Sequence, residues 1–351
     1  MGTSLGNALA MKPELEVTIL SIENDVVESI NKDQLNTKYF PNTKLTWRLR
    51  ATTDVKVLSN FEYVFLAIPS SAIFNFIDQH KGLFHSEVVL INLAKGLSKD
   101  EHYTIAESLI FRTEYRIATW KGPTFARELI NNMPTAFTVG ATDITLFPIF
   151  KKLVKDTCIH LDYSTDIRGV ELLSVLKNIY AIALGIVDAQ YDSPNLRFLF
   201  LTKAFNEMRA ILLKFGGKKK TIFKYCGYGD FGLTALNDLS RNRTLGLLIG
   251  KGFYSESNSN LVLEGKMAVD VFCEGIGFST AHCEAVFKAA NAHGLAIKGH
   301  TAQLSDLKGS QLAARMGALS VDHVAFPDCA GPPPPAAPGT FRGFVPGVFY
   351  F

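Results

Sequence analysis

The sequence predicts an α/β protein: a doubly wound parallel sheet lacking its first strand, then an all-helical domain, then a partial (β/α) piece. Three observations carry this. The first half alternates short β-rich runs with helical stretches, as parallel strands joined by crossover helices require. Several of those runs are apolar throughout, as strands covered on both faces should be. From Arg168 the pattern turns helical, and near residue 268 it changes again to strand, helix, strand. A chain of 351 residues suits two domains plus a fragment, with divisions expected at 1–165, 166–267, 268–326 and 327–351.

Residues 2–10 (GTSLGNALA) read as the end of a glycine-rich turn and the start of a helix, the place where backbone N–H groups meet a pyrophosphate. Gly6 is the glycine that lets helix and sheet pack closely, and a simple N-terminal turn is the alternative. No strand precedes Gly2, so the expected sheet lacks its central strand, leaves two edges open and binds cofactor poorly or belongs to an incomplete sequence. Strands follow at Glu16–Leu20, Tyr63–Pro69, Val88–Ala94, Ile117–Lys121, Thr135–Gly140 and Asp156–Asp162. Glu23, just past the first of these, is placed to accept from an adenosine ribose; a solvated loop carboxylate is the alternative. With no Arg beside it for a 2′-phosphate, NAD is favoured over NADP.

Helices are expected over Arg168–Ala189, from Asn195 to about Phe215, and from Asn260 onward. Lys214–Lys220 (KFGGKKK) reads as a solvated turn. Lys177 shares a helical stripe with Leu173, Ala181 and Leu184, and desolvation there would bring its pKa toward the range of a proton donor, with Asn178 able to hydrogen-bond nearby. A snorkelling lysine is the alternative. Further on, Leu295–His300 and Leu319–Val324 read as strands around a helix at Lys308–Met316, and Pro327–Phe351 as an extended tail.

Bulk properties exclude several classes. With 47% hydrophobic and 20% charged residues and a net charge of +3, the chain is globular and offers no nucleic-acid surface. No apolar run approaches the roughly 18 residues of a membrane span and no basic n-region opens the chain, so a cytoplasmic protein without a membrane segment is expected. Gly6 stands where a myristoylation motif needs Ser or Thr. Cys158, Cys226, Cys273, Cys283 and Cys329 form no C-x-x-C, which disfavours disulfides and structural zinc.

Three further stretches carry chemistry. Lys95 and Gly96 end a strand, where ligands gather in doubly wound sheets. Gly122-Pro123-Thr124-Phe125-Ala126 is a turn with a free hydroxyl and backbone donors. Gly227-Tyr228-Gly229-Asp230, followed by Ser240-Arg241-Asn242-Arg243, supplies a carboxylate and then a guanidinium able to grip phosphate. Taken in order, INLAKGL (91–97), KGPTFARE (121–128), LKNIYAIALGI (176–186), GYGDFGLT (227–234), SRNR (240–243) and VLEG (262–265) resemble the bacterial-type glycerol-3-phosphate dehydrogenase family across most of residues 2–267. The resemblance implies a Rossmann domain, a helical 6-phosphogluconate-dehydrogenase-like domain, NAD or NADP, a homodimer, and reduction of dihydroxyacetone phosphate to sn-glycerol 3-phosphate. It implies that Lys177 is the acid/base group and Asp230 its orienting carboxylate, with Lys95, Gly122 and Thr124 lining the substrate. Arg241 and Asn242 would bind the phosphate beside Ser240, and Ser4, Leu5, Gly6, Glu23, Lys95, Ala126, Arg241, Val262 and Glu264 would contact the cofactor.

Residues 268–326 and the final PGVFYF (346–351) resemble imidazolonepropionase, a metal-dependent amidohydrolase. That resemblance implies a metal ligand at His300, a catalytic His323 and a substrate contact at Glu274. The eight histidines contain no H-x-H pair, and one histidine supplies too few ligands for a catalytic metal. The expectation is therefore no metal and a chimeric chain whose last segment is not a working hydrolase.

Overall fold

The structure is a computed structural model that describes residues 1–98, 104–237, 239–251, 269–273, 279–292, 297–301, 309–316, 320–322 and 341–343. Its contacts divide into two compact units, Met1–Asn178 with Phe205–Leu239, and Ile179–Ala204 with Ser240–Phe351. This differs from the linear division expected at residue 165. The segment after Phe205 returns to the first unit, where the Cys226 amide donates to the Thr138 hydroxyl at 3.0 Å.

The first unit opens with helix α1 (Gly2–Ala10), strand β1 (Thr18–Leu20), helix α2 (Asn24–Asp33) and strand β2 (Arg50–Thr52). There follow β3 (Tyr63–Leu66), α3 (Ile73–His80), β4 (Val89–Asn92), α4 (Ile105–Arg112), β5 (Arg116–Lys121), α5 (Ala126–Leu129), β6 (Thr135–Gly140), α6 (Leu146–Leu153) and β7 (Ile159–Ser164). β1 and β2 pair as a parallel two-stranded sheet, and β3-β4-β5-β6-β7 form a second sheet in sequence order. Period-two alternation covers that sheet on both sides. Val89, Ile91, Ala118 and Trp120 enter one apolar core with Leu5, Leu9 and Phe150, whereas Leu90 and Ile117 enter the other with Ile73, Ile77, Ile105 and Leu109. α1 packs closely on β1 and on the residue after β3: a Cβ on Gly6 would lie 2.8 Å from the Ile19 side chain, and one on Gly2 3.2 Å from Ala67.

The all-parallel expectation needs correction at one ladder. β5 and β6 run antiparallel, because the turn after Lys121 folds straight back on β6. Gly122 makes that possible, since a Cβ there would stand 2.2 Å from the Ala136 carbonyl oxygen. β2 had no signal in the sequence; three residues show no period.

Helix α7 (Ile167–Gln190) begins in the first unit and ends in the second, and α8 (Pro194–Lys214) does the reverse. α7 is long and apolar enough to cross a membrane by length and composition, contrary to the reading of the sequence, but 61% of its most apolar window is buried within the protein. A π-helical turn (Tyr225–Gly229) leads into α9 (Asp230–Leu236).

In the second unit, α10 (Arg241–Gly250) packs on the end of α7 at glycines: Cβ atoms on Gly185 and Gly246 would lie 2.3 Å from the Arg243 carbonyl and 2.0 Å from the Ile182 carbonyl. Asp188 accepts from Arg197 at 2.8 Å and Arg243 at 2.5 Å, which closes that contact. Then β8 (Val269–Cys273), α11 (Thr280–Ala292), β9 (Ile297–Thr301), α12 (Gly309–Arg315), β10 (Ser320–Asp322) and β11 (Phe341–Gly343) form a parallel sheet in the order β11-β10-β9-β8. β11 lies within the stretch expected to be an extended tail.

Candidate functional site

The first unit brings two ammonium groups from distant parts of the chain onto one carboxylate. α7 is apolar over several turns, so Lys177 has nowhere to reach water; it is 3% exposed, among the equally buried Leu173, Ala181 and Leu184 of its stripe. Its ammonium donates to Asp230 Oδ1 at 2.5 Å and to the Thr234 hydroxyl at 2.7 Å. Lys95, three residues past the end of β4, donates from the other side to Asp230 Oδ2 at 3.2 Å. Asp230 sits at the start of α9, where the helix dipole favours a carboxylate, and is itself 1% exposed.

Burial pushes the Lys177 ammonium down to about 7; the Asp230 carboxylate pulls it back up, and the Lys95 ammonium lowers it further. An amine poised near neutrality, held on a carboxylate in a dry site, can give a proton to an oxygen and take it back. The neighbouring Cys226 thiol is pushed up to about 12 by burial, which leaves it a protonated bystander.

Thr234 was missed in the sequence. It stands four residues after Asp230 on α9, so the two share a helix face, a signal present in GYGDFGLT. Asn178 turns its amide to the Ser174 carbonyl at 3.4 Å. Thr124 does not offer a free hydroxyl: it lies 2.7 Å from the Thr135 hydroxyl and donates to the Ala136 carbonyl at 3.2 Å. The turn needs that side chain to hold it on β6, so Gly122 and the backbone remain as its ligand-facing chemistry.

Among residues expected to meet a nucleotide, Ser4 donates to the Ala126 carbonyl at 2.8 Å, which joins α1 to the start of α5. Leu5 is buried in the core beside them. Glu23, three residues past β1 at the N-cap of α2, is gripped by the Lys38 ammonium, with the Tyr39 hydroxyl 3.1 Å from Oε2. No Arg stands beside Glu23, as the sequence reads, but a lysine does. Lys38 arrives from beyond α2, fifteen residues on, and could not be seen from local sequence.

Ser240, Arg241 and Asn242 lie in the second unit. Ser240 caps α10 by accepting from the Arg243 amide at 3.3 Å, Arg241 opens the helix with an exposed side chain, and Asn242 is buried. Val262, Glu264, Glu274 and His323 lie outside the described residues, and His300 is known only as a β9 backbone position. Among the described residues, no group of three His, Cys, Asp or Glu could hold a metal.

A family model described as "NAD-dependent glycerol-3-phosphate dehydrogenase N-terminus" matches residues 1–147, and one described as "NAD-dependent glycerol-3-phosphate dehydrogenase C-terminus" matches 166–296. The chain is 36% identical over 274 residues to the glycerol-3-phosphate dehydrogenase [NAD(P)+] of Methanothermobacter thermautotrophicus, covering 76% of this chain and 83% of that one. It is 32% identical over 268 residues to the Halothermothrix orenii protein of the same name, covering 75% and 78%. The crystal structure of glycerol-3-phosphate dehydrogenase from Coxiella burnetii superposes with a TM-score of 0.70 at 26% identity, covering 90% of each chain. The C-terminal match runs past the boundary expected near 267, and nothing in these comparisons supports the imidazolonepropionase resemblance.

Proposed function

The chain belongs to the NAD-dependent glycerol-3-phosphate dehydrogenase family, and on that premise we propose that it reduces dihydroxyacetone phosphate to sn-glycerol 3-phosphate with Lys177 as proton donor. The observation that carries the proposal is the buried Lys177–Asp230–Lys95 cluster. When bound, the dihydronicotinamide supplies the hydride. As charge develops on the substrate oxygen, the Lys177 ammonium hands it a proton, and Asp230 and Thr234 keep the remaining amine aimed. Lys95 and the Gly122 backbone line the substrate, and Arg241 and Asn242, supported by the Ser240 cap, take the phosphate dianion.

The chemistry of the first unit fits a dinucleotide. The first intrahelical bond of α1 comes from the Leu5 amide to the Met1 carbonyl, so the amides before it are turned out at the helix start, where a pyrophosphate is stabilised. Glu23 supplies the ribose carboxylate, and Ile22, 98% exposed beside it, offers an apolar face to a purine ring. Lys38 adds a cation at the same corner, which suits a 2′-phosphate, so NADP competes with NAD there more closely than the sequence suggested. Ala126, Val262 and Glu264 complete the cofactor contacts in this reading, which is also that of a cytoplasmic homodimer. Hydrolysis by residues 268–326 forms no part of it.

The test is NADH oxidation at 340 nm with dihydroxyacetone phosphate, comparing the chain with Lys177→Ala. A loss of about 10²–10⁴-fold in kcat, the usual worth of a general acid, is expected. Equal turnover by both proteins would defeat the assignment.

A further inference from the structure

Six residues before Lys177 on the same helix lies a second buried charge pair, away from the Asp230 carboxylate. Lys121, the last residue of β5, is one of the largest fully buried side chains in the protein. Its ammonium donates to the Asn92 carbonyl at 3.0 Å and the Ala94 carbonyl at 2.6 Å, and stands 3.6 Å from Glu171 Oε1. Glu171, on α7, is as deeply buried. Its Oε1 accepts from the Asn92 side chain at 2.5 Å and lies 2.8 Å from the Thr119 hydroxyl, and its Oε2 accepts from the Ala106 amide at 2.8 Å. The carboxylate is therefore fully compensated.

Position gives this pair its meaning. The parallel ladder between β4 and β5 ends at Asn92 and Thr119, so backbone pairing stops before Lys95. Beyond that point the Lys121 side chain takes over and holds the carbonyl of Ala94, the residue just before Lys95. Lys121 itself is the residue just before Gly122, and Glu171 anchors both to the helix that carries Lys177. One ion pair thus ties together the three segments that deliver Lys95, Gly122 and Lys177.

A buried ion pair is a poor device for stability, because desolvation of both charges offsets their attraction, and apolar replacements of similar volume are often neutral or stabilising. What directed bonds add is a fixed geometry. We propose that Lys121 is a positioning residue for the reaction: with Glu171 it sets the Ala94-Lys95 turn at the separation from α7 at which Lys95 and Lys177 share one carboxylate. This rests on the reductase reading given above.

Two variants test it. Lys121→Met keeps volume and removes the donor, and the double variant Lys121→Met/Glu171→Leu removes both charges so that neither is left buried alone. Both should raise the KM for dihydroxyacetone phosphate about tenfold or more, the scale on which a misplaced binding group acts, with a smaller fall in kcat. Both should also move the pH limb of kcat upward, since a released Lys95 no longer lowers the Lys177 pKa, and a role confined to stability would not do that. The double variant, which leaves no charge buried alone, should melt above Lys121→Met. If it folds and keeps the parent KM and pH limb, the positioning role is wrong. The same shift is read without turnover by titrating the Lys177 ammonium in ¹⁵N-lysine NMR, assigned with Lys177→Ala. A parent protein inactive on dihydroxyacetone phosphate would therefore refute the reductase reading while the titration still decides the role of Lys121.

Discussion

The Lys177 ammonium should respond oppositely to removal of its two charged neighbours, Lys95 and Asp230. In the direction of ketone reduction Lys177 acts as its charged form, so kcat should be full below its pKa of about 7 and fall as pH rises through that value. Lys95→Met deletes a positive charge that opposes this protonation. Two ammonium nitrogens bonded to the two oxygens of one carboxylate stand roughly 5–6 Å apart, and Coulomb's law at an effective dielectric of about 20 gives roughly 3 kcal/mol, or about two pH units, as an upper figure. Lys95 is 20% exposed at its side chain, so part of that is screened and a rise of about one unit is expected. Asp230→Asn deletes the charge that favours the ammonium in a buried site, and should move the limb downward by at least as much. The assay is the pH profile of kcat with saturating dihydroxyacetone phosphate and NADH, each variant normalised to its own plateau so that lost affinity does not enter. Limbs that stay in place, or that move in the same direction for both variants, would refute the electrostatic account.

Other consequences are smaller in scope. Thr234→Val should lower kcat about 10–150-fold, the worth of one hydrogen bond to a charged group, with little change in KM, as steady-state kinetics would show. Glu23→Gln should shift the ratio of kcat/KM values toward NADPH and Lys38→Met toward NADH; unchanged ratios would remove that corner from cofactor choice. Thr124→Val should cost about 1–2 kcal/mol in urea unfolding while leaving KM nearly intact, because its hydroxyl is spent on β6. Gly122→Ala should cost more, since the new Cβ meets backbone at 2.2 Å and the turn must move, and thermal melting reports it.

Much of the fold was legible wherever period and burial coincide. The strands at Tyr63, Val88, Ile117 and Thr135 announced themselves as apolar runs because both faces of that sheet are covered. The reversal between β5 and β6 was not legible, because KGPTF marks a turn without saying which way the chain leaves it; that depends on Gly122 approaching Ala136 and on two threonine hydroxyls meeting. The site divides the same way. Lys177 stood out as a charge on an apolar stripe, which is a local fact. Lys38 beside Glu23, and Glu171 beside Lys121, are pairings across fifteen and fifty residues that only the fold creates.

α7 buries the charge of Glu171 six residues before that of Lys177. α7 passes close under the sheet, as Gly140 shows: a Cβ there would lie 3.2 Å from Val170. A lysine placed on such a helix must find a carboxylate or lose its proton, and Asp230 is near enough to retain the charge without restoring an ordinary lysine pKa. The balance depends on a second ammonium arriving at the same carboxylate from a strand end, where backbone pairing no longer fixes it. A side chain must then do the fixing, and a buried one needs its own counter-charge, which is the position Lys121 and Glu171 occupy. The acidity of Lys177 is in this sense set by two ion pairs in series, one that touches the reacting proton and one that determines how near the competing charge can come.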